Sequence, residues 1–378
     1  MLKVPISGQV TGLTEENNVM QVAKSSHYGG GIWTKRFERG FSQFMGARHG
    51  VFCNSGSSAN LLAIAALELP KGSEIITTAV NFPTTVNAII QNGHIPVFVD
   101  SDPKTLNCTD FSQFEGLDVQ AAIFAHTLGN PMRPVVFDWP MIEDCCDAVG
   151  SEIDGKMVGH YGVMSTVSFY PAHHITTGEG GMVLTDNPKL ERILQSYMGW
   201  GKDCWCEPGQ DNLCGCRFAT GRDHKYEYSH IGYNLKSSDF QAAVGVAQLD
   251  RLQGFIQKRQ ENWQYLHDAL IDLPIEIVEA TPGSKPSWFG FAFLTDRRKE
   301  LAPYLDGNGV GCRPIMGGNL LNQVAYKKLK RDVDYRVIGS LDGAEKIDRE
   351  GIWVGVFPGI DADMRDYQVE MIRKFYNG

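Results

Sequence analysis

The stretch from Val51 to Asp100, VFCNSGSSANLLAIAALELPKGSEIITTAVNFPTTVNAIIQNGHIPVFVD, decides the fold. Val51-Phe52-Cys53 is a short apolar run of strand character. Ser58–Leu69 follows as an apolar helix rich in Ala and Leu. Glu74–Thr78 reads as strand, Thr84–Asn92 as helix, and Pro96–Asp100 as strand again. Short strands alternating with longer helices predict crossover units around a mainly parallel sheet.

Outward from that stretch the pattern continues. Ala121–Ala125, Val135–Phe137, Met141–Glu143 and Val167–Tyr170 are further strand candidates, and a helix is expected near Trp33–Met45. Residues 200–225 break the alternation. They are rich in Cys, Gly, Asp and Asn, and read as a long loop of the kind that often carries function. Helical periodicity returns in Ser237–Leu252 and Lys258–Leu273. The expectation is an α/β fold with a large domain over residues 1–250, mainly a parallel sheet. A smaller α+β C-terminal domain is expected over residues 251–378.

Composition narrows the function classes. Hydrophobic residues make up 43% and charged residues 21% of the 378, as in ordinary globular proteins. A net charge of −9 with no basic run argues against nucleic-acid binding, though a pocket can still be locally positive. No apolar run approaches the roughly 20 residues that span a bilayer. Met1–Pro5 leads into Gly and Thr without the apolar core of a signal peptide. A cytoplasmic protein away from membranes is expected. Nine cysteines in a reducing compartment then need a reading other than disulfides.

Asn54-Ser55-Gly56-Ser57-Ser58-Ala59-Asn60 lies between a strand and a helix. Small residues there let backbone N–H groups approach an anion at a helix N-terminus. A capped helix explains the serines equally well, and no Gly-Lys-Ser/Thr follows to make a nucleotide-binding P-loop. Gly178–Gly181 reads as a turn. Met141–Asp144 is a strand ending in acid, and ligands of open α/β sheets bind beyond the carboxyl ends of strands. A carboxylate there can hold a protonated pyridine nitrogen, or simply cap the next helix.

Six segments now follow in order: Asn54–Asn60, Asn81–Ala88, Pro96–Asp100, Glu143-Asp144, Ser168–His173 and Gly232-Tyr233-Asn234-Leu235-Lys236. Together they resemble the DegT/DnrJ/EryC1/StrS sugar aminotransferase family of fold-type I pyridoxal-phosphate enzymes, over most of the chain. The resemblance implies that Ser57 and Ser58 bind the cofactor phosphate and that Phe82 stacks on its ring. Asp144 would pair with the ring nitrogen and Ser168 would contact the phosphate. Asn234 would reach the phosphate of the neighbouring subunit in a homodimer. Arg313 and Gly317–Leu320 are candidate substrate contacts by the same similarity.

One departure carries information. Family members that transaminate place the Schiff-base lysine where this chain has His173. An imidazole forms no stable Schiff base but moves protons near neutral pH. The resemblance then implies noncovalent pyridoxamine phosphate and dehydration at C3 of a nucleotide-linked 4-keto-6-deoxy sugar, with His173 as proton carrier. His174 is expected to be structural.

Two histidine-bearing subfamilies are similar to this chain: a metal-free colitose-type dehydratase, and the CDP-4-keto-6-deoxy-glucose 3-dehydrase type, which carries a [2Fe–2S] cluster. Cys146, Cys204, Cys206 and Cys214 reproduce the cysteine spacing of the second, and four thiolates are the usual ligand set of such a cluster. Structural zinc is the plainer reading of closely spaced cysteines. Cys145 and Cys216 adjoin the ligand candidates and are open as substitutes. Cys53, Cys108 and Cys312 read as core or surface thiols. No flavin or nicotinamide motif is present, so a cluster-dependent enzyme needs a partner: an NADH-dependent iron–sulfur flavoprotein reductase or a ferredoxin-like donor.

Overall fold

Alternate residues of a strand face opposite sides of a sheet, and this chain puts apolar side chains on both. In β1 (His49–Cys53), Val51 and Cys53 join one core and Phe52 the other. The computed structural model describes residues 2–204, 212, 213, 215 and 217–377. Its main sheet continues with β2 (Glu74–Thr78), β3 (Ile95–Val99), β4 (Ala121–Ala125), β5 (Met141–Asp144), β6 (Met164–Ser168) and β7 (Gly181–Thr185). The order is β1-β7-β6-β5-β4-β2-β3, closed at the β3 edge by the short strand Arg336–Val337. The pairs from β6 to that edge are parallel, whereas β7 runs against both of its neighbours. The fold is α/β, as expected.

Helices cover both faces. α1 (Leu13–Ser25) and α2 (Ile32–Met45) enclose the first core, where Phe37 and Phe41 meet Phe169 edge-on at 4.9 Å. Each such buried ring stabilises by about 1.5–3 kcal/mol. The other face is covered by α3 (Gly56–Ala66), α4 (Pro83–Gln91) and α5 (Pro188–Met198). After α6 (Asp239–Leu249) and α7 (Leu252–Leu270), a second, antiparallel sheet forms. Its strands are β8 (Glu276–Ile277), β9 (Gly290–Leu294), β10 (Cys312–Pro314) and β11 (Gly351–Gly355), in the order β8-β9-β11-β10. Two segments cross the boundary drawn near residue 250. Arg336–Val337 joins the main sheet, and Val4 bridges to Val310.

Three expectations need correction. Val135–Phe137 is not a strand. It lies between Pro134 and Pro140, which hinder ladder pairing, Val136 is 97% exposed, and the Phe137 ring stacks on Trp139 instead. Gly181–Thr185, whose first residue reads as part of a turn, is a strand of the main sheet next to its β1 edge. The helix expected from Lys258 begins at Leu252. Among the described residues no helix is long and apolar enough to cross a membrane.

Candidate active site

The carboxyl ends of β5 and β6, the start of α3 and the loops around β10 enclose a cleft of about 850 Å³. Ser57, Phe82, Asp144, Cys146, Ser168, His173 and Arg313 all line it. These residues are far apart in sequence, and the crossover topology brings them to one edge of the sheet.

Ser55 caps α3, its hydroxyl accepting from the Ser58 N–H at 3.1 Å. The Ser58 hydroxyl donates to Asn54 Oδ1 at 2.6 Å, so it is engaged within the turn. Gly56 allows the helix start to approach β6: a Cβ there would meet that of Ser168 at 2.5 Å. The Ser58 N–H is taken by the cap, which leaves the Gly56 and Ser57 amides of the first turn in the cleft lining with the Ser57 and Ser168 hydroxyls. That is a donor set for a phosphate.

Glu143 and Asp144 are neighbours on one strand and point to opposite sides. Asp144 is buried at the cleft floor. Its Oδ2 accepts from Asn60 Nδ2 at 2.8 Å and Thr85 Oγ1 at 2.7 Å, and its Oδ1 from the Cys146 N–H at 3.1 Å. Asn60 is itself set by the Thr166 hydroxyl, which donates to Asn60 Oδ1 at 2.6 Å. Glu143 instead accepts from the backbone of Gly159, Tyr161 and Gly162 and lies 3.1 Å from His126 Nε2. Burial works to raise its pKa. The bonds from His126 and the backbone outweigh that and hold it below the ordinary carboxylate value. His126, Glu143 and Cys145 bring their ligand atoms within 4.8 Å of one another. The Glu143 oxygens are saturated with donors and His126 Nδ1 accepts from Met132 N–H, so the cluster is a structural pin.

His173 sits at the cleft wall with Nδ1 3.4 Å from Asp147 Oδ1, an ion-pair distance longer than a normal hydrogen bond. Its ring centroid is 5.3 Å from that of Phe289. His174 is buried and turned away, its Nε2 2.8 Å from the Ser287 carbonyl. Burial, then the charge of Arg259, depress its pKa well below the ordinary value, which makes it a neutral structural group. Phe82 presents a ring that is 55% exposed at the cleft mouth. No lysine lines the cleft among the described residues.

Other expected residues lie elsewhere. Asn234 is exposed outside the cleft and accepts from Lys236 Nζ at 2.6 Å. Cys204 does not line the cleft, and its Sγ is 3.7 Å from His224 Nε2. Cys206 and Cys214 lie outside the described residues, as does Cys216. Burial, then Asp144, push the Cys146 thiol well above its ordinary pKa. Sequence reasoning missed Asp147 and the roles of Asn60 and Thr85. The spacing Asp144-Cys145-Cys146-Asp147 in a strand-end loop was the available signal for Asp147.

A family model of DegT/DnrJ/EryC1/StrS aminotransferases matches residues 10–373. Lipopolysaccharide biosynthesis protein RfbH of Salmonella typhimurium is 42% identical, across 99% of this chain and 92% of that protein. The dTDP-4-dehydro-2,6-dideoxy-D-glucose 3-dehydratase of Saccharopolyspora spinosa is 41% identical, across 98% of this chain and 86% of that protein. Among solved structures, E. coli GDP-4-keto-6-deoxy-D-mannose-3-dehydratase with bound hydrated PLP is similar with a TM-score of 0.86 at 31% identity, covering 98% of this chain and 99% of that one. The chain belongs to the DegT/DnrJ/EryC1/StrS aminotransferase family.

Proposed function

We propose that this protein is a pyridoxamine-phosphate- and [2Fe–2S]-dependent 3-dehydrase of a nucleotide-linked 4-keto-6-deoxyhexose in 3,6-dideoxysugar biosynthesis. The observation that carries the reading is a cleft holding Asp144 and the His173–Asp147 pair, with no lysine among its described lining residues. Two of the relatives above are sugar 3-dehydratases, one of them solved with PLP.

The cleft fits the cofactor. The α3 N-terminus with Ser57 and Ser168 would hold its phosphate, Phe82 would lie against the ring, and Asp144 would pair with the ring nitrogen. When bound, pyridoxamine phosphate supplies an amine that condenses with the keto sugar and a ring that accepts electrons. Asn60, Thr85 and the Cys146 N–H fix the Asp144 carboxylate, so it needs no reorientation. Asp147 favours the tautomer of His173 with a proton on Nδ1, which leaves Nε2 to take and return the proton that moves in dehydration. Arg313 would meet the anionic nucleotide.

Cys146 follows Asp144 by two residues and lines the same cleft. Cys146, Cys204, Cys206 and Cys214 would hold a [2Fe–2S] cluster that supplies one-electron transfer, with electrons from a separate NADH-dependent iron–sulfur flavoprotein reductase or ferredoxin-like donor. The exposed Asn234 fits a homodimer in which it reaches the partner's phosphate. The cysteine spacing makes CDP-4-keto-6-deoxyglucose the first substrate to assay.

Anaerobic reconstitution with iron, sulfide and pyridoxamine phosphate, then turnover on CDP-, TDP- and GDP-linked 4-keto-6-deoxy sugars, tests the reading. His173→Lys should abolish dehydration, and a variant that dehydrates at the parent rate overturns the role of His173. The likeness to the E. coli GDP-sugar enzyme favours a second, metal-free reading. Anaerobically purified protein without iron or a visible cluster band decides for that one.

A further inference from the structure

Among the described residues, the most deeply buried charge is not used by the chemistry above. Arg259, on α7, has no solvent exposure. No carboxylate hydrogen-bonds to it among the described residues. Its fork is spent on four backbone carbonyls: Nη1 donates to Trp288 O at 3.4 Å and Phe289 O at 3.1 Å, and Nη2 to Ala172 O at 3.2 Å and His173 O at 2.9 Å. Its Nε–H is unpartnered. A buried guanidinium without a contacting anion is costly, so simple packing is a poor reason for keeping it. Methionine or leucine would fill the space without that cost.

Its surroundings give a reason. The carbonyls on one side belong to the loop that carries His173. Those on the other belong to the segment entering β9, whose Phe289 ring packs on the His173 imidazole. The guanidinium lies 5.6 Å over that same ring. The next carbonyl back, that of Ser287, holds His174. Arg259 therefore ties the main chain of His173 to the aromatic that supports its ring. Burial draws the Arg259 pKa down to about 10, and the negative charge of Asp147, the residue facing His173 Nδ1, opposes that fall.

We propose that Arg259 is a positioning residue for His173: its fork sets where the imidazole stands in the cleft. The proposal rests on the reading of His173 as proton carrier. It needs an arginine because only a planar fork reaches four carbonyls at once, whereas an ammonium is a point donor.

The test compares Arg259→Met and Arg259→Lys with the parent. In cofactor-free protein carrying isotope-labelled histidine rings, a proton–carbon correlation spectrum reports each imidazole, with the His173 signal assigned from His173→Asn. Pyridoxamine phosphate affinity and turnover after reconstitution follow. Arg259→Met should shift or broaden the His173 signal; the His174 signal moves as well because it loses the Arg259 charge, and the rings remote from Arg259 change little. It should lower kcat about 100-fold, the scale expected for a misplacement of about 1 Å. KM and cofactor affinity should stay within about threefold. Arg259→Lys should restore part of kcat and leave the His173 signal displaced. If Arg259→Met does not fold, the lysine variant alone carries the test. An unmoved His173 signal in the folded variant overturns the proposal. A displaced signal with parent turnover leaves Arg259 as an anchor of the loop and overturns His173 as proton carrier, so the two failures differ.

Discussion

Asp147 Oδ1 stands 3.4 Å from His173 Nδ1, and both side chains are largely buried at the wall of the cleft. In the proposed mechanism the carboxylate favours a proton on the nitrogen that faces it. Replacing it with an amide keeps the size and removes the charge. Asp147→Asn should lower kcat by about 10²-fold, within the range of acid–base contributions, with the sugar KM changed by less than about threefold. Steady-state kinetics of the reconstituted enzyme measures this, and a parent-like kcat would refute the role.

The approach of α3 to β6 depends on a missing side chain. Gly56→Ala would drive a Cβ to within 2.5 Å of that of Ser168 and force the helix start away from it. Overpacking of this kind costs about 1–3 kcal/mol. Pyridoxamine phosphate affinity, read by absorbance or fluorescence titration, should fall about tenfold or more, more than the melting temperature alone would suggest.

Asn60 joins Asp144 to Thr166. Asn60→Ala leaves buried partners unsatisfied, and each such group costs about 1–3 kcal/mol. Calorimetry should show a lower melting temperature. Cofactor affinity should fall too, because Asp144 loses one of the donors that aim it.

If the cysteine set holds iron, Cys146→Ser and Cys204→Ser should each sharply reduce iron and sulfide content and the visible cluster absorption after anaerobic reconstitution. Cys53→Ser, deep in the core and away from the cleft, should leave them intact. Equal iron content in Cys146→Ser and the parent would remove that residue from the ligand set.

Glu38 makes the pH prediction. Its carboxylate accepts from the Phe52 N–H at 2.9 Å. Burial, opposed by that bond and aided by the charge of Glu191, raises its pKa from 4.5 to about 7. The folded protein then holds a proton that the unfolded chain releases between those values, so stability falls as pH rises from about 4.5 to about 7. Glu38→Gln removes that dependence. Denaturant unfolding should show the variant gaining on the parent by up to about 3 kcal/mol between pH 4.5 and pH 8. An equal difference at both ends would assign the pH dependence to other groups.

The sheet was legible because short apolar runs, buried on both faces and separated by helices, leave a local mark, as Glu74–Thr78 and Ala121–Ala125 show by forming at the expected bounds. Gly181–Thr185 was not, because its neighbouring glycines read as a turn and its antiparallel pairing is set by distant partners. Most of the cleft came from motif order: Ser57, Phe82, Asp144, Cys146, Ser168 and His173 do share one cavity. Asp147 and Arg259 did not come that way. An acid in a loop and an arginine within a helix look like solvated surface groups until the fold turns them inward.

The exchange of short segments across the two sheets has a mechanical meaning. Arg336–Val337 is stitched to the β3 edge, while the N-terminal Val4 is stitched to Val310 at the far side. Each stitch acts as a splint. The chain after β10 is thereby tied to the main sheet by backbone hydrogen bonds at the β3 edge, and the N-terminus is tied to the segment before β10.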